Sequence, residues 1–258
     1  MKILIITAEC GEAQFKKQLQ QLNGQKNVTI THEIISNLNL KDAQTMVYKI
    51  CHLNRDSDYD FIIKLDGDML LKDNMSLIKM CEHARKIKYP RITFKVFDYY
   101  TNRSINGVHF LVPKYIPNKR PIVEHRNDYW IETIKGKNTR QYADEILHGF
   151  NSTIEQCVRF GISRGIKANC DGANSSHWRT IYFLNKNAYN PRIKPDLILA
   201  LESALTQSKL LKFINRKKNI TSISKLEFFY LHFKMYNKLA SSLIHLVKTT
   251  YLEIKHGI

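Results

Sequence analysis

The sequence has little glycine or proline, no long apolar run and few cysteines, and each shortage excludes a class of protein. Gly occurs 10 times and Pro 6 times in 258 residues, which excludes collagen-like and low-complexity chains. No apolar run reaches the roughly 18 residues that a bilayer-spanning helix requires. The 43% of hydrophobic residues instead predicts a globular chain with a substantial core.

The cysteine pattern and the amino terminus bear on the compartment. The five cysteines are odd in number and widely spaced, with no Cys-x-x-Cys pair, which disfavours a disulfide framework or a zinc site. The apolar stretch 3–8 is shorter than a signal-peptide core, and Glu9 stands where a small-residue cleavage site would be needed. These features predict a buried first strand and a cytoplasmic protein.

Positive charge is the largest imbalance of the composition. With 40 Lys and Arg against 23 Asp and Glu, the net charge is +17, which favours nucleic acid, an acidic membrane or a phosphorylated substrate as partner. Residues 205–258 hold ten of the cations and two acids, interleaved with apolar and aromatic residues. This pattern predicts a basic amphipathic helical segment for an anionic membrane surface, or a helical subdomain that packs on the core.

Apolar periodicity alternates between strand and helix over the first 100 residues. Strands are predicted at 2–8, 28–35, 59–65 and 91–97, and helices at 12–22, 42–53 and 70–87. Further along, a strand is predicted at 107–112 and a helix from residue 152. The order predicts an α/β fold with a mixed, mostly parallel sheet flanked by helices. We divide the chain into a catalytic domain at 1–204, with halves 1–100 and 101–204, and the basic tail at 205–258.

Two carboxylates, Asp66 and Asp68, follow the apolar strand that ends near residue 65. Side chains at the carboxyl end of such a strand project into the crevice where α/β sheets bind ligands. Gly67 between them lets both carboxylates face one hard cation, Mg²⁺ or Mn²⁺, which bridges to substrate phosphates. The alternative is a solvated acidic turn.

The βαβαβ order that ends in this acidic pair resembles the GT-A glycosyltransferases, especially small bacterial enzymes related to family 2. The resemblance covers about residues 1–170 and implies that Asp66, Gly67 and Asp68 hold a divalent metal on the diphosphate of a nucleotide sugar, usually a UDP-sugar. It also implies that the end of the first strand holds the base and ribose, through Thr7, Ala8 and Glu9.

The resemblance extends to a second half that binds the acceptor and supplies a base. It implies that residues 104–112 form the strand under the donor sugar, that His148 is a third metal ligand, and that Asp144 is the base of an inverting transfer. The other carboxylates that compete for the role of base are Asp98, Asp128, Glu145 and Asp171.

Two further clusters have both a functional and an ordinary explanation. Arg159, Arg164 and Lys167 would neutralise a diphosphate or a lipid phosphate, or form a solvated helix face. Trp178 would stack on a sugar or belong to the core.

The expected function is transfer of a sugar from a UDP-sugar to a hydroxyl of a bacterial surface glycan such as lipopolysaccharide or capsule. The tail would dock the enzyme on the cytoplasmic face of the inner membrane, and no nucleic-acid partner is expected because no zinc-finger or RRM signature occurs. The alternatives are a basic membrane or nucleic-acid-binding module without catalysis, and a sugar-phosphate nucleotidyltransferase.

Overall fold

The computed structural model describes residues 1–120, 129–170, 176–189 and 194–207. The basic tail predicted at 205–258 lies almost wholly outside these residues, as do Asp128 and Asp171. Among the described residues, no helix is both long and apolar enough to cross a membrane.

The first half of the chain is a parallel βαβαβ unit. Strands β1 (Lys2–Glu9), β2 (Thr29–Ser36) and β3 (Phe61–Lys64) alternate with helices α1 (Phe15–Asn23) and α2 (Leu40–Leu53). β1 lies in the centre and pairs in parallel with both β2 and β3. β1 and β3 are buried on both faces, which explains why their sequences are continuous apolar runs rather than alternating ones.

The second half extends the same sheet with strands of both directions. Its strands are β4 (Met69–Leu71), β5 (Arg91–Asp98), β6 (Arg103–Leu111), β7 (Gly136–Thr139) and β8 (Ile146–His148). The sheet order is β2-β1-β3-β6-β5-β8-β4, and β7 pairs with the first half of β5. β6 runs antiparallel to β3 and β5, and β8 runs parallel to β5. The predicted α/β fold with a mixed sheet is therefore confirmed.

Helices cover the sheet and close the described part of the chain. They are α3 (Ser76–Ile87), α4 (Tyr129–Thr133), α5 (Ile154–Cys170), α6 (Ser176–Ala188) and α7 (Pro195–Gln207), with a short 3-10 turn at Pro113–Tyr115. Thr153 caps α5, because its hydroxyl accepts from the Gln156 amide while Gln156 Oε1 accepts from the Thr153 amide. These two reciprocal hydrogen bonds form a capping box that starts the helix.

The helix predicted at 70–87 is wrong over its first six residues. Met69–Leu71 forms β4, and the helix begins only at Ser76. β4 is a three-residue strand that pairs antiparallel with β8, so its hydrogen bonds come from residues almost 80 positions later. Because a short apolar run has no period of its own, the sequence joined it to the helix that follows.

Candidate functional site

The acidic pair occupies a tight turn between β3 and β4. The Met69 amide donates to the Asp66 carbonyl at 3.1 Å, and the Gly67 amide donates to the Ala8 carbonyl at the end of β1 at 3.2 Å. Gln18, fully buried on α1, donates its Nε2 to the carbonyls of both Asp66 and Met69 at 2.7 Å. The turn is thus fixed by a neighbouring strand and a helix before any ligand binds.

Asp68 and His148 are in direct contact, although 80 residues separate them. His148 Nε2 lies 3.2 Å from Asp68 Oδ2, and the Gly149 amide donates to the Asp68 carbonyl at 3.2 Å. The other ring nitrogen of His148, Nδ1, lies 2.6 Å from Oδ1 of the fully buried Asp98. Because an ionised carboxylate can only accept, Nδ1 donates to Asp98 and Nε2 donates to Asp68 when the ring is protonated; as a metal ligand, Nε2 would give up that hydrogen.

The two carboxylates set the electrostatics of the imidazole. Burial alone would lower the pKa of His148, but the charges and hydrogen bonds of Asp68 and Asp98 outweigh it and raise the pKa to about 10. For Asp98, burial is likewise outweighed, by His148 and by hydrogen bonds from Thr101, so its pKa is lowered. This corner of the site therefore favours positive charge.

Asp66 has a different partner from Asp68. Lys64, at the end of β3 and almost completely buried, donates its Nζ to Asp66 Oδ1 at 2.7 Å. Burial would raise the pKa of Asp66, but Lys64 and, more weakly, His148 and His109 lower it. Asp66 thus stays ionised and within electrostatic range of His148.

The end of β1 packs directly against the acidic turn. A Cβ added at Gly67 would lie 3.1 Å from Glu9 Cβ and 3.0 Å from Glu12 Oε2, so the absence of a side chain permits this approach. Glu9 and Glu12 accept from the amides of Gly11 and Cys10, which shapes the loop after the strand. Burial, together with the nearby charges of Asp68 and Glu9, raises the pKa of Glu12.

Of the three residues expected to hold base and ribose, each has a distinct place at this strand end. Thr7 is buried, and its hydroxyl hydrogen-bonds His32 Nε2 on β2 at 2.9 Å. Ala8 contributes its carbonyl to the acidic turn, and Glu9 turns its carboxylate onto the following loop. None of the three lines the large cavity described next.

A cavity of about 1300 Å³ opens beside the acidic turn. Asp66, Asp98 and His148 line one side of it, β5 and β6 supply its floor, and α5 and α6 supply further wall. Its cationic lining residues outnumber its carboxylates two to one: Lys64, Arg91, Lys95, Arg103, Arg140, Arg164, Lys167 and Arg179 against Asp66, Asp98, Glu132 and Asp144. The cavity is therefore suited to an anionic ligand.

The candidates for the base separate clearly. Asp144 is exposed in the turn before β8 and lines the cavity. Glu145 points to the start of α3, where its carboxylate accepts from Ser76 Oγ at 2.8 Å and pairs with Lys79. Asp98 is buried and bound to His148. Among the described candidates for the base, Asp144 is therefore the one that lines the cavity and is not held by a hydrogen bond or ion pair such as those of Asp98 and Glu145.

Several features of the site lie beyond what sequence reasoning found. Asp98 was considered only as a base, although the structure makes it the partner of His148. The sequence does not single out Gln18, because an amide on an amphipathic helix carries no pattern that reveals two carbonyl partners.

The three cations expected on α5 have different places in the structure. Arg164 and Lys167 line the cavity, whereas Arg159 contacts Glu155 and the Cys10 carbonyl. His177 and Arg179 line the cavity, but Trp178 does not.

The side chains around the acidic turn suit a hard divalent cation only if a bound substrate supplies further ligands to the cation. Among the described residues, no group of three or more His, Cys, Asp or Glu side chains is arranged to hold a metal ion. Asp68 and His148 offer two donor atoms 3.2 Å apart, with Asp66 nearby. Mg²⁺ and Mn²⁺ sites of this kind are completed by water and substrate phosphates. The residues therefore fit such a metal with a diphosphate.

Comparisons with known proteins give weak matches. No family model matches the chain, and no curated protein matches it. Among solved structures, A197 from STIV is 14% identical with a TM-score of 0.42 and covers 57% of this chain and 83% of its own. A Pyrobaculum calidifontis mannosyltransferase in complex with GDP-Man and Mn²⁺ is 10% identical with a TM-score of 0.42, and the match covers 98% of this chain and 86% of the mannosyltransferase. S. aureus TarS 1–349 is 8% identical with a TM-score of 0.38 and covers 86% and 95%.

Identities of 14% or less and TM-scores of 0.42 or less assign no function to this chain.

Proposed function

We propose that this protein is a metal-dependent glycosyltransferase that moves a sugar from a nucleotide donor to a hydroxyl group. The observation that carries the proposal is the chain of contacts Asp68–His148–Asp98 at the end of β3, beside a large basic cavity. Metal-binding histidines usually donate one ring N–H to a carboxylate, which orients the ring so that its other nitrogen faces the metal.

Each residue at the turn has a separate task in this proposal. Asp68 and His148 would hold the metal, and Asp98 fixes the orientation of the imidazole. Asp66 completes the acidic side, with Lys64 holding its carboxylate in place. When bound, Mn²⁺ or Mg²⁺ would supply positive charge against the diphosphate that leaves in the reaction.

The donor and acceptor lie on two sides of the turn. The end of β1, with Thr7, Ala8 and Glu9, supports the nucleotide, for which we propose UDP. Asp144 faces the cavity and takes the proton from the acceptor hydroxyl in an inverting transfer. We propose a bacterial surface glycan as acceptor, and docking of the tail on the cytoplasmic face of the inner membrane.

Turnover of the donor tests this assignment. The wild-type chain should hydrolyse or transfer from a UDP-sugar only with Mn²⁺ or Mg²⁺, and Asp68→Asn should remove at least 99% of this activity because a ligand is lost. The control is Asp58→Asn, which removes an exposed carboxylate paired with Lys2 at the start of β1, the opposite end of the strand from the turn. Equal activity of both variants would refute the proposal, and pyrophosphate release from a nucleotide triphosphate would favour a nucleotidyltransferase.

A further inference from the structure

One wall of the cavity carries three cations that come from three different elements. Lys95 lies on β5, Arg140 directly follows β7, and Arg179 lies on α6. The strand pairing brings the first two close: β5 and β7 are parallel with Phe94 opposite Thr139, and Lys95 and Arg140 are the residues that follow this pair.

The charges of these three residues are not compensated nearby. Within the described parts of the chain, none of the three forms an ion pair with a carboxylate, although Arg179 lies over the Phe183 ring. Burial and the positive charges of Arg140 and Arg179 lower the pKa of Lys95. Like charges held this close are unfavourable unless an anion binds between them.

Three of the four carboxylates that line the same cavity interact with other groups, and the fourth, Asp144, is the proposed base. Asp66 pairs with Lys64, and Asp98 with His148. Glu132 acts electrostatically on Arg91, which is the first residue of β5 and lies four residues before Lys95. The cation group, defined as Lys95, Arg140 and Arg179, is thus left as a positive surface in a concave site.

The cation group is separate from the proposed metal site. Lys64 pairs with His109 on β6, and His109 pairs with Thr93 on β5, so one strand lies between β3 and β5. On the other side, Asp98, the partner of His148, lies three residues after Lys95 on β5, which is about 10 Å along the strand. Backbone positions this far apart leave room in the cavity for a phosphate at the cation group in addition to a diphosphate at the turn.

We propose that Lys95, Arg140 and Arg179 bind a phosphate group carried by the acceptor, so that the acceptor is a phosphorylated glycan or a phosphate-linked lipid. The assignment of this phosphate to the acceptor rests on the proposed function. Two arginines supply planar pairs of donors and Lys95 a point charge, a combination that suits phosphate oxygens. Asp144 lines the same cavity, so a bound phosphate would place the rest of the acceptor near the proposed base.

Calorimetric titration with glycerol 3-phosphate tests the site without requiring activity. The titration is done on the full chain in EDTA, so that no divalent metal contributes. Lys95→Gln and Arg140→Gln should each weaken binding about tenfold, because each removes a charge-assisted hydrogen bond. Lys49→Gln, which removes an exposed cation on α2, should leave binding unchanged. Thermal unfolding of each variant establishes that it is folded.

A second arm separates the acceptor phosphate from the donor. Titration of UDP with Mn²⁺ should give the same affinity for Lys95→Gln, Arg140→Gln and the wild type. No binding of glycerol 3-phosphate, or an equal loss in Lys49→Gln, overturns the proposal. A matching loss of UDP affinity in the two cavity variants also overturns it, because the cations then serve the donor. Phosphate binding without any UDP binding would refute the proposed function but leave the anion site intact.

Discussion

At the residue scale, the site depends on one buried carboxylate, Asp98, that contacts His148 rather than the proposed metal. Asp98 accepts from His148 Nδ1 and from both the amide and the hydroxyl of Thr101, so its position is fully determined. Its role is to hold the imidazole with Nε2 toward Asp68. A positioning residue of this kind affects the metal through the histidine rather than by contact.

We expect Asp98→Asn to weaken Mn²⁺ binding by about 10- to 100-fold, because the amide no longer fixes the imidazole in the metal-binding orientation. Mn²⁺ titration in the presence of UDP measures the loss. Asp58→Asn serves as control, because it makes the same change of carboxylate to amide at an exposed residue that pairs with Lys2. A purely structural Asp98 would lower the melting temperature while the Mn²⁺ affinity of the folded fraction stayed unchanged.

Gly149, next to the metal-binding candidate, has a backbone conformation that other residues rarely adopt. Its φ is +71°, and a Cβ there would overlap the ring of Tyr100. Gly149→Ala should therefore destabilise the fold by more than about 1 kcal/mol, as measured by urea unfolding. Gly24→Ala is the matched control: the φ of Gly24 is −86°, and the nearest atom to an added Cβ is 3.5 Å away. Equal stability of the two variants would contradict this explanation.

At the element scale, the acidic turn is held by an element that approaches it from outside the sheet. Helix α1 places Gln18 against the turn, and the two hydrogen bonds of its Nε2 satisfy buried carbonyls of Asp66 and Met69. Unpaired buried carbonyls are costly, so this helix contributes directly to the geometry of the site.

Gln18→Met, which keeps the length of the side chain, should reduce the free energy of unfolding by about 1–3 kcal/mol because two carbonyls lose their donor. The same variant should also weaken Mn²⁺–UDP binding, since the turn becomes less fixed. The control is Gln20→Met, an exposed position on the same helix. Unfolding in urea and calorimetry provide the two measurements, and unchanged behaviour of Gln18→Met would show that α1 does not support the turn.

The longer elements of the fold could be predicted from local pattern, and the short strands of the second half could not. β1, α1, β2, α2, β3 and β5 lie within a few residues of the predicted elements, because each is long enough to show its own period. β4, β7 and β8 are three or four residues long and are stabilised by pairing with distant strands. The acidic pair was found from its place after an apolar strand. The contact of Asp68 with His148 follows from the β4–β8 pairing, which no local pattern contains.

At the scale of the whole molecule, two regions hold much of the excess positive charge. Eight Lys and Arg line the cavity, where an anionic substrate is expected. Ten more belong to residues 205–258, which gives this segment a sequence suited to an anionic membrane. The prediction of membrane docking rests on that sequence alone.

Neutralising part of the tail in the full chain tests docking. Glutamine at Lys209, Lys212, Arg216, Lys217 and Lys218 should reduce flotation with phosphatidylserine vesicles by more than 90%, since each cation contributes about 1 kcal/mol near the surface. The control has the same net charge, with glutamine at the exposed Lys16, Lys17, Lys41, Lys49 and Lys119. Equal loss in both variants would show a general charge effect and contradict docking by the tail.

The central claim is that the acidic turn and His148 bind a nucleotide diphosphate through a divalent metal. The most direct test is the thermal stability of the wild type and Asp68→Asn with UDP, with and without Mn²⁺. At a UDP concentration of about 100 times Kd, we expect the melting temperature of the wild type to rise by about 5–10 °C with Mn²⁺ and to stay unchanged without it. Asp68→Asn should show no such rise. An equal rise in both proteins, or none in the wild type with any nucleotide diphosphate and Mn²⁺, would contradict the claim.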